Sequence, residues 1–188
     1  MTTVTTNFIN EVWQTAECLY SEEQVENIID VMGKQVTERL KDSNPIVISV
    51  MNGGMIFTGK LMLRMQFPLE LSYIHASRYN NQTTGSDLQW KYKQLQNVEG
   101  RTVLIVDDIL DEGKTLAALI EYFKQEGASK VYSAVLVNKK HDRKAAPVST
   151  ADFIGLETED KYLFGYGLDY KGYLRNANGI YAILNKYI

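Results

Sequence analysis

Thr102-Val103-Leu104-Ile105-Val106-Asp107-Asp108-Ile109-Leu110-Asp111-Glu112-Gly113-Lys114-Thr115 is the stretch on which the reading of this chain turns. Its first five residues are β-branched or apolar without a break, as expected of a strand covered on both faces. Downstream, Leu116, Leu119, Ile120 and Phe123 fall on one helical stripe, and Gly127 supplies a stop signal. Val131 to Val137 then reads as a second apolar strand. A strand, a helix and a strand at these lengths form a βαβ unit, which implies a parallel sheet with a right-handed crossover. The expected fold class is α/β, with a mainly parallel twisted sheet flanked by helices and one domain over residues 1–188.

In open α/β sheets ligands bind beyond the carboxyl ends of the strands. Three carboxylates, Asp107, Asp108 and Asp111, crowd that place here. Asp107 and Asp108 suit a divalent cation or the hydroxyls of a polyol. The turn from Asp111 to Thr115 offers successive backbone N–H groups, a helix N-terminus and a hydroxyl, all suited to one phosphate. Gly113 lets the backbone approach that anion without a Cβ in the way. A sugar phosphate with free hydroxyls satisfies both halves at once. Gly113-Lys114-Thr115 is not a P-loop, which requires Gly where Asp108 stands. The spacing of Asp107, Asp108 and Asp111 is also that of the aspartate-rich motif of prenyl-chain synthases, but that motif lies on helices and a strand precedes it here. A plain acidic cap would explain one of these acids, not three beside Gly-Lys-Thr.

Outward from this unit, Pro45 opens the apolar run Ile46 to Val50, a short buried strand. Asn52-Gly53-Gly54 is a tight turn, Ile56 to Arg64 a helix and Leu69 to His75 a strand. Arg78 to Gly100 is polar and reads, at least in part, as a long loop of the kind that often serves as a mobile lid. Before Pro45 the spacing predicts two helices, the second capped by Ser21, with Glu22 and Glu23 in its first turn. Val25, Ile28, Ile29, Met32 and Val36 form its inner face. The last third carries short strands near Phe153 and Leu163, a turn-rich segment from Gly165 to Gly179 and an apolar run from Ile180 to Leu184.

With 188 residues, 45% hydrophobic and 23% charged, the composition is that of an ordinary globular domain. A net charge of −3 argues against a nucleic-acid-coating surface. Cys18 is the single cysteine, so no internal disulfide forms and a reducing compartment is expected. No apolar run approaches the roughly 18 residues of a membrane helix, and no signal-peptide pattern opens the chain. The expectation is a cytoplasmic protein that binds neither membrane nor nucleic acid.

Val103 to Thr115 resembles the phosphoribosyl-pyrophosphate signature of the type I phosphoribosyltransferases, and residues 45 to 176 are similar to the hypoxanthine-guanine members of that family. The resemblance implies a small hood formed by the chain termini and Mg²⁺-dependent transfer of a phosphoribosyl group to N9 of hypoxanthine or guanine. It further implies that Asp107 and Asp108 meet the ribose hydroxyls, partly through Mg²⁺. Asp111 is then the residue that takes the proton on the purine N7. Residues Asp111, Glu112, Gly113, Lys114 and Thr115 cradle the 5′-phosphate. Met51-Asn52-Gly53-Gly54 matches the pyrophosphate loop, often built on a non-proline cis peptide, and Arg78 and Arg175 match further pyrophosphate contacts. Lys139 matches the donor to O6, Tyr162 the aromatic that stacks on the base, and Leu163 a neighbour that touches it through its backbone. Asp169 matches a second acid near Mg²⁺ and the base.

Three positions depart from the usual pattern. Asp107 stands where Glu is common, Glu112 where Ser or Thr is common and Asn52 where many members have Lys. The Glu112 side chain is expected to point away from the phosphate. A homodimer or homotetramer is expected by the same resemblance. Two alternatives stay open at the level of sequence: a phosphoribosyl-pyrophosphate-sensing, nucleic-acid-binding regulator, and a xanthine or uracil phosphoribosyltransferase.

Overall fold

The computed structural model describes residues 4–78, 88–92, 97–144 and 148–188. Its larger sheet has six strands in the order β4-β3-β2-β5-β6-β7. These are β2 (Ile46–Met51), β3 (Glu70–Arg78), β4 (Leu88–Tyr92), β5 (Thr102–Leu110), β6 (Lys130–Lys140) and β7 (Phe153–Glu159). Five of them run parallel, and β4 closes one edge antiparallel to β3. Strand β5 sits between β2 and β6, which explains its unbroken apolar run. Leu104 and Val106 pack into the core under one face, and Val103 and Ile105 into the core under the other.

The helices supply the two coverings. Helices α2 (Glu22–Leu40) and α3 (Gly54–Met62) lie on the first face, and α4 (Lys114–Gln125) on the second. Ser21 caps α2 through a reciprocal pair: its Oγ accepts from Gln24 N at 3.4 Å, while Gln24 Oε1 accepts from Ser21 N at 2.9 Å. The buried face of α2 is Val25, Ile29, Met32, Gly33, Val36 and Leu40. Ile28, expected in that face, is partly buried against the same core.

A second, three-stranded sheet of order β1-β9-β8 forms the hood. It joins β1 (Glu17–Tyr20) to β9 (Ile180–Ala182) and β8 (Leu163–Phe164), all antiparallel. Helix α1 (Thr6–Thr15) packs beside it through Ile9 and Val12, against Phe164, Tyr170, Leu174 and Ile183. Two strands were not expected from the sequence. One is β1, a four-residue strand lodged between two helices. The other is β4, which lies inside the stretch read as loop. The alternating Leu88, Trp90 and Tyr92 are good strand formers, and pairing with β3 overrides the polar neighbourhood. The rest of the expected lid, residues 79–87 and 93–96, lies outside the described residues. Among the described residues no helix is long and apolar enough to cross a membrane.

Hood and main sheet are tied through Glu26 on α2. Its carboxylate meets Lys60 Nζ at 2.7 Å, Arg64 Nη2 at 2.5 Å and the Tyr166 hydroxyl at 2.7 Å. Burial opposes its charge, but hydrogen bonds from Lys60, Tyr166 and Arg64 outweigh it and hold the carboxyl at about 2, below the ordinary 4.5. A depressed carboxyl contributes stability above its unfolded value and loses it as pH falls toward the folded one. The melting-temperature gap between wild type and Glu26→Gln should therefore be present at neutral pH and shrink between about pH 4.5 and 2. Thermal melts across that window check this; a gap independent of pH would show that the cluster adds nothing through charge.

Candidate active site

The parallel strands deliver their carboxyl ends to one place. Around it lies a cavity of about 370 Å³, walled by Asn52 and Gly53 after β2, by Asp107 to Gly113 and Thr115 from β5 into α4, and by Asp169 and Arg175 from the hood. Each wall has a local cause. The Met51–Asn52 peptide is cis, and Gly53 then opens α3. An ideal Cβ on Gly53 would lie 2.0 Å from Asp108 Oδ2, so only glycine lets this loop rest on that carboxylate.

At the other wall Gly113 adopts φ +81°, a left-handed conformation that L side chains rarely adopt. A Cβ there would also lie 2.3 Å from the Val148 carbonyl oxygen. Helix α4 starts at Lys114 with no side-chain cap on its first turn. Its N-terminal amides and the positive end of its dipole therefore face the cavity mouth without an internal acceptor from a cap side chain. Glu112 is met by Lys114, whose Nζ lies 2.8 Å from Glu112 Oε2. That ion pair offsets the charge of an acid in the turn that leads into α4. Lys114 itself does not wall the cavity.

Asp107 and Asp108 occupy the floor, with Asp108 N donating to Asp107 Oδ1 at 2.9 Å. Burial raises the pKa of both carboxyls. The adjacent Asp108 adds to the rise at Asp107, while the charge of Arg175 partly offsets the rise at Asp108. Arg175 donates from Nη2 to Asp169 Oδ1 and from Nη1 to the Gly167 carbonyl, both at 2.5 Å. Asp169 Oδ2 also accepts from Gly172 N at 2.7 Å. The floor is thus an under-neutralised pair of oxygen donors, a set that suits a hard divalent cation.

Beyond Asp111 the strand ends of β6 and β7 add a polar cluster. Lys139 Nζ lies 3.7 Å from Asp111 Oδ2 and 3.6 Å from Asp160 Oδ1, and its side chain is only 12% exposed. His141 Nε2 lies 2.6 Å from Asp111 Oδ1. Arg143 Nη2 lies 2.5 Å from Asp160 Oδ2. Asp111, His141 and Asp160 bring their ligand atoms within 4.8 Å of one another, a grouping that also occurs at metal sites. Here Lys139 and Arg143 already supply its positive charge.

Ten residues singled out in the sequence therefore wall the cavity: Asn52, Gly53, Asp107, Asp108, Asp111, Glu112, Gly113, Thr115, Asp169 and Arg175. Lys139 stands beside it through Asp111. Tyr162 is 41% exposed and held edge-on by Tyr170, with ring centroids 5.7 Å apart at 85°. Leu163 sends its side chain into the core and pairs through its backbone with Ala182. Arg78 ends β3, and its side chain lies outside the described residues. His141 and Asp160 had no place in the sequence reading. The period-2 alternation of a strand that presents Lys139 was the available signal for His141.

A family model described as "Phosphoribosyl transferase domain" matches residues 16–171. The hypoxanthine-guanine phosphoribosyltransferase of Bacillus subtilis is 36% identical over 159 residues, 84% of this chain and 87% of that protein. The bifunctional protein TilS/HprT of Listeria innocua is 35% identical over the same share of this chain, which spans only 24% of that longer protein. Among solved structures, a hypoxanthine phosphoribosyltransferase from Staphylococcus aureus superposes with a TM-score of 0.87 at 24% identity, covering 98% of each chain. The strand order, the acid-rich turn after β5 and these matches agree, and the chain belongs to the phosphoribosyltransferase family.

Proposed function

We propose that this protein transfers the 5-phosphoribosyl group of phosphoribosyl pyrophosphate to N9 of hypoxanthine or guanine, forming IMP or GMP and pyrophosphate in purine salvage. The observation that carries this reading is the pairing of Asp111 Oδ2 with Lys139 Nζ, 3.7 Å apart beside the cavity. A 6-oxopurine carries N7 and O6 side by side on one edge. An acid that accepts a proton next to an ammonium that only donates is complementary to that edge. Adenine offers an amino group at the same corner, and the ammonium opposes it.

Backbone amides from Asp111 to Thr115 hold the 5′-phosphate at the start of α4. Asn52, Gly53 and Arg175 face the pyrophosphate, with Arg78 a further contact, and Tyr162 and the Leu163 backbone flank the base. Asp107 and Asp108, with Asp169 nearby, hold Mg²⁺ as well as the ribose hydroxyls. When bound, Mg²⁺ neutralises the leaving pyrophosphate and orients it. The N9–C1′ bond forms as the bond from C1′ to the pyrophosphate oxygen breaks, and Asp111 takes the proton from N7. Alignment of two bound substrates supplies much of the acceleration. Self-association as a homodimer or homotetramer and a cytoplasmic location belong to the same reading.

The direct test is nucleotide formation from each free purine with phosphoribosyl pyrophosphate and Mg²⁺. Hypoxanthine and guanine should react, and adenine should be rejected by a factor of roughly 10⁴. Lys139→Ala should lower kcat/KM for both 6-oxopurines by about 10- to 100-fold, the worth of a hydrogen bond from a charged donor. Its affinity for phosphoribosyl pyrophosphate should stay unchanged. Parallel losses for both substrates would remove Lys139 from O6, and turnover of xanthine or uracil alone would replace the substrate assignment.

A further inference from the structure

We propose that His141 is a positioning residue for Asp111: a neutral imidazole whose Nε2–H donates to Asp111 Oδ1 and leaves Oδ2 aimed at the base. This rests on the reading of Asp111 as the group that takes the N7 proton.

The tautomer follows from the hydrogen bonds. Arg143 N lies 3.1 Å from His141 Nδ1. A backbone N–H can only donate, so Nδ1 presents its lone pair, and the ring proton of the neutral imidazole sits on Nε2. That nitrogen is 2.6 Å from Asp111 Oδ1. The His141 side chain is 5% exposed, whereas that of Asp111 is 44% exposed. A half-exposed carboxylate on a turn is free to rotate, so a buried ring fixed at both nitrogens is the natural anchor for it.

The arrangement extends along the chain with a period of two. Lys139, His141 and Arg143 all reach the same carboxylate, at 3.7, 2.6 and 4.0 Å respectively. Lys139 faces Oδ2, while His141 and Arg143 face Oδ1. Oδ1 is therefore tied to the scaffold, and Oδ2 is the oxygen left to share the purine edge with Lys139. A second proton, on Nδ1, would break the bond from Arg143 N. Neutral His141 instead donates without competing for the proton that Asp111 receives.

The test compares His141→Phe, which keeps a ring without a donor, with His141→Gln, which restores an N–H. His141→Phe should lower kcat by about 10- to 30-fold with KM for phosphoribosyl pyrophosphate within about twofold. His141→Gln should recover most of the loss, and both should melt close to wild type. Equal losses in the two variants, or wild-type kcat in His141→Phe, would overturn the proposal. A long-range ¹H–¹⁵N spectrum of the wild-type protein at about pH 8 gives a readout free of activity and of variant folding. The chain has two histidines, so assignment is simple. The expected signature is protonated Nε2 with unprotonated Nδ1; a proton on Nδ1 would sink the idea. A slow Asp111→Asn beside a fast His141→Phe would leave the role of Asp111 standing and remove only that of His141. A fast Asp111→Asn would remove the catalytic reading itself.

Discussion

Asp111→Asn should lower kcat by about 10²- to 10⁴-fold, the usual contribution of a positioned general base. The substitution preserves shape, and its amide oxygen can still accept from His141 Nε2 in the place of Oδ1. What it loses is the capacity to take a proton and the negative charge that stabilises it beside Lys139. Binding of phosphoribosyl pyrophosphate should change little, because in the proposed reading the phosphate is held by backbone amides that the substitution leaves in place. The experiment is a steady-state comparison with hypoxanthine, combined with equilibrium binding of phosphoribosyl pyrophosphate. Turnover near wild type would exclude Asp111 from proton transfer. Collapse of sugar-phosphate binding would instead mean that the turn had lost its shape.

Gly167→Ala should be strongly destabilising. Gly167 has φ +108°, and an ideal Cβ on it would lie 1.9 Å from the Gly53 carbonyl oxygen. The oxygen belongs to backbone and a Cβ is fixed directly to the backbone, so no flexible side chain can yield. Backbone strain alone costs about 1–3 kcal/mol, and the overlap adds to it. A total of about 3 kcal/mol or more corresponds to a fall in Tm of roughly 6–12 °C for a chain of this size. Gly172→Ala is the matched control, with φ +86° and nothing within 4 Å of the added Cβ. It should show the strain without the overlap. Equal melting of the two variants would mean that the hood and the loop after β2 do not touch as described. Residual activity in Gly167→Ala should also be low, since Arg175 donates to the Gly167 carbonyl and would move with it.

Much of this architecture is legible in the residues, for reasons that differ by element. Strand β5 and helix α4 are readable because central burial removes polar residues from both faces of the strand, and Gly113 marks the turn between them. The turn from Asp111 to Thr115 is readable because it bends through a left-handed Gly113, a conformation few residue types permit. Strand β1 is not readable: Glu17-Cys18-Leu19-Tyr20 has two exposed and two half-buried residues and no alternation. Its pairing is decided by partners more than 150 positions away. Likewise β4 hides in a polar stretch, since an edge strand needs pairing more than burial. His141 escapes because its one signal, the two-residue spacing from Lys139, gains meaning only when the turn from β5 brings Asp111 alongside.

The order β1-β9-β8 has a consequence for how the protein comes into being. The strand made last, at 180–182, is the middle one, and it bridges a partner from the first twenty residues and another from position 163. On a translating ribosome the turn after β5 can take shape while both outer hood strands still wait, each with a bare edge. The hood is therefore the last part to be sealed, and an early stop before residue 180 should yield a chain whose exposed strands invite aggregation.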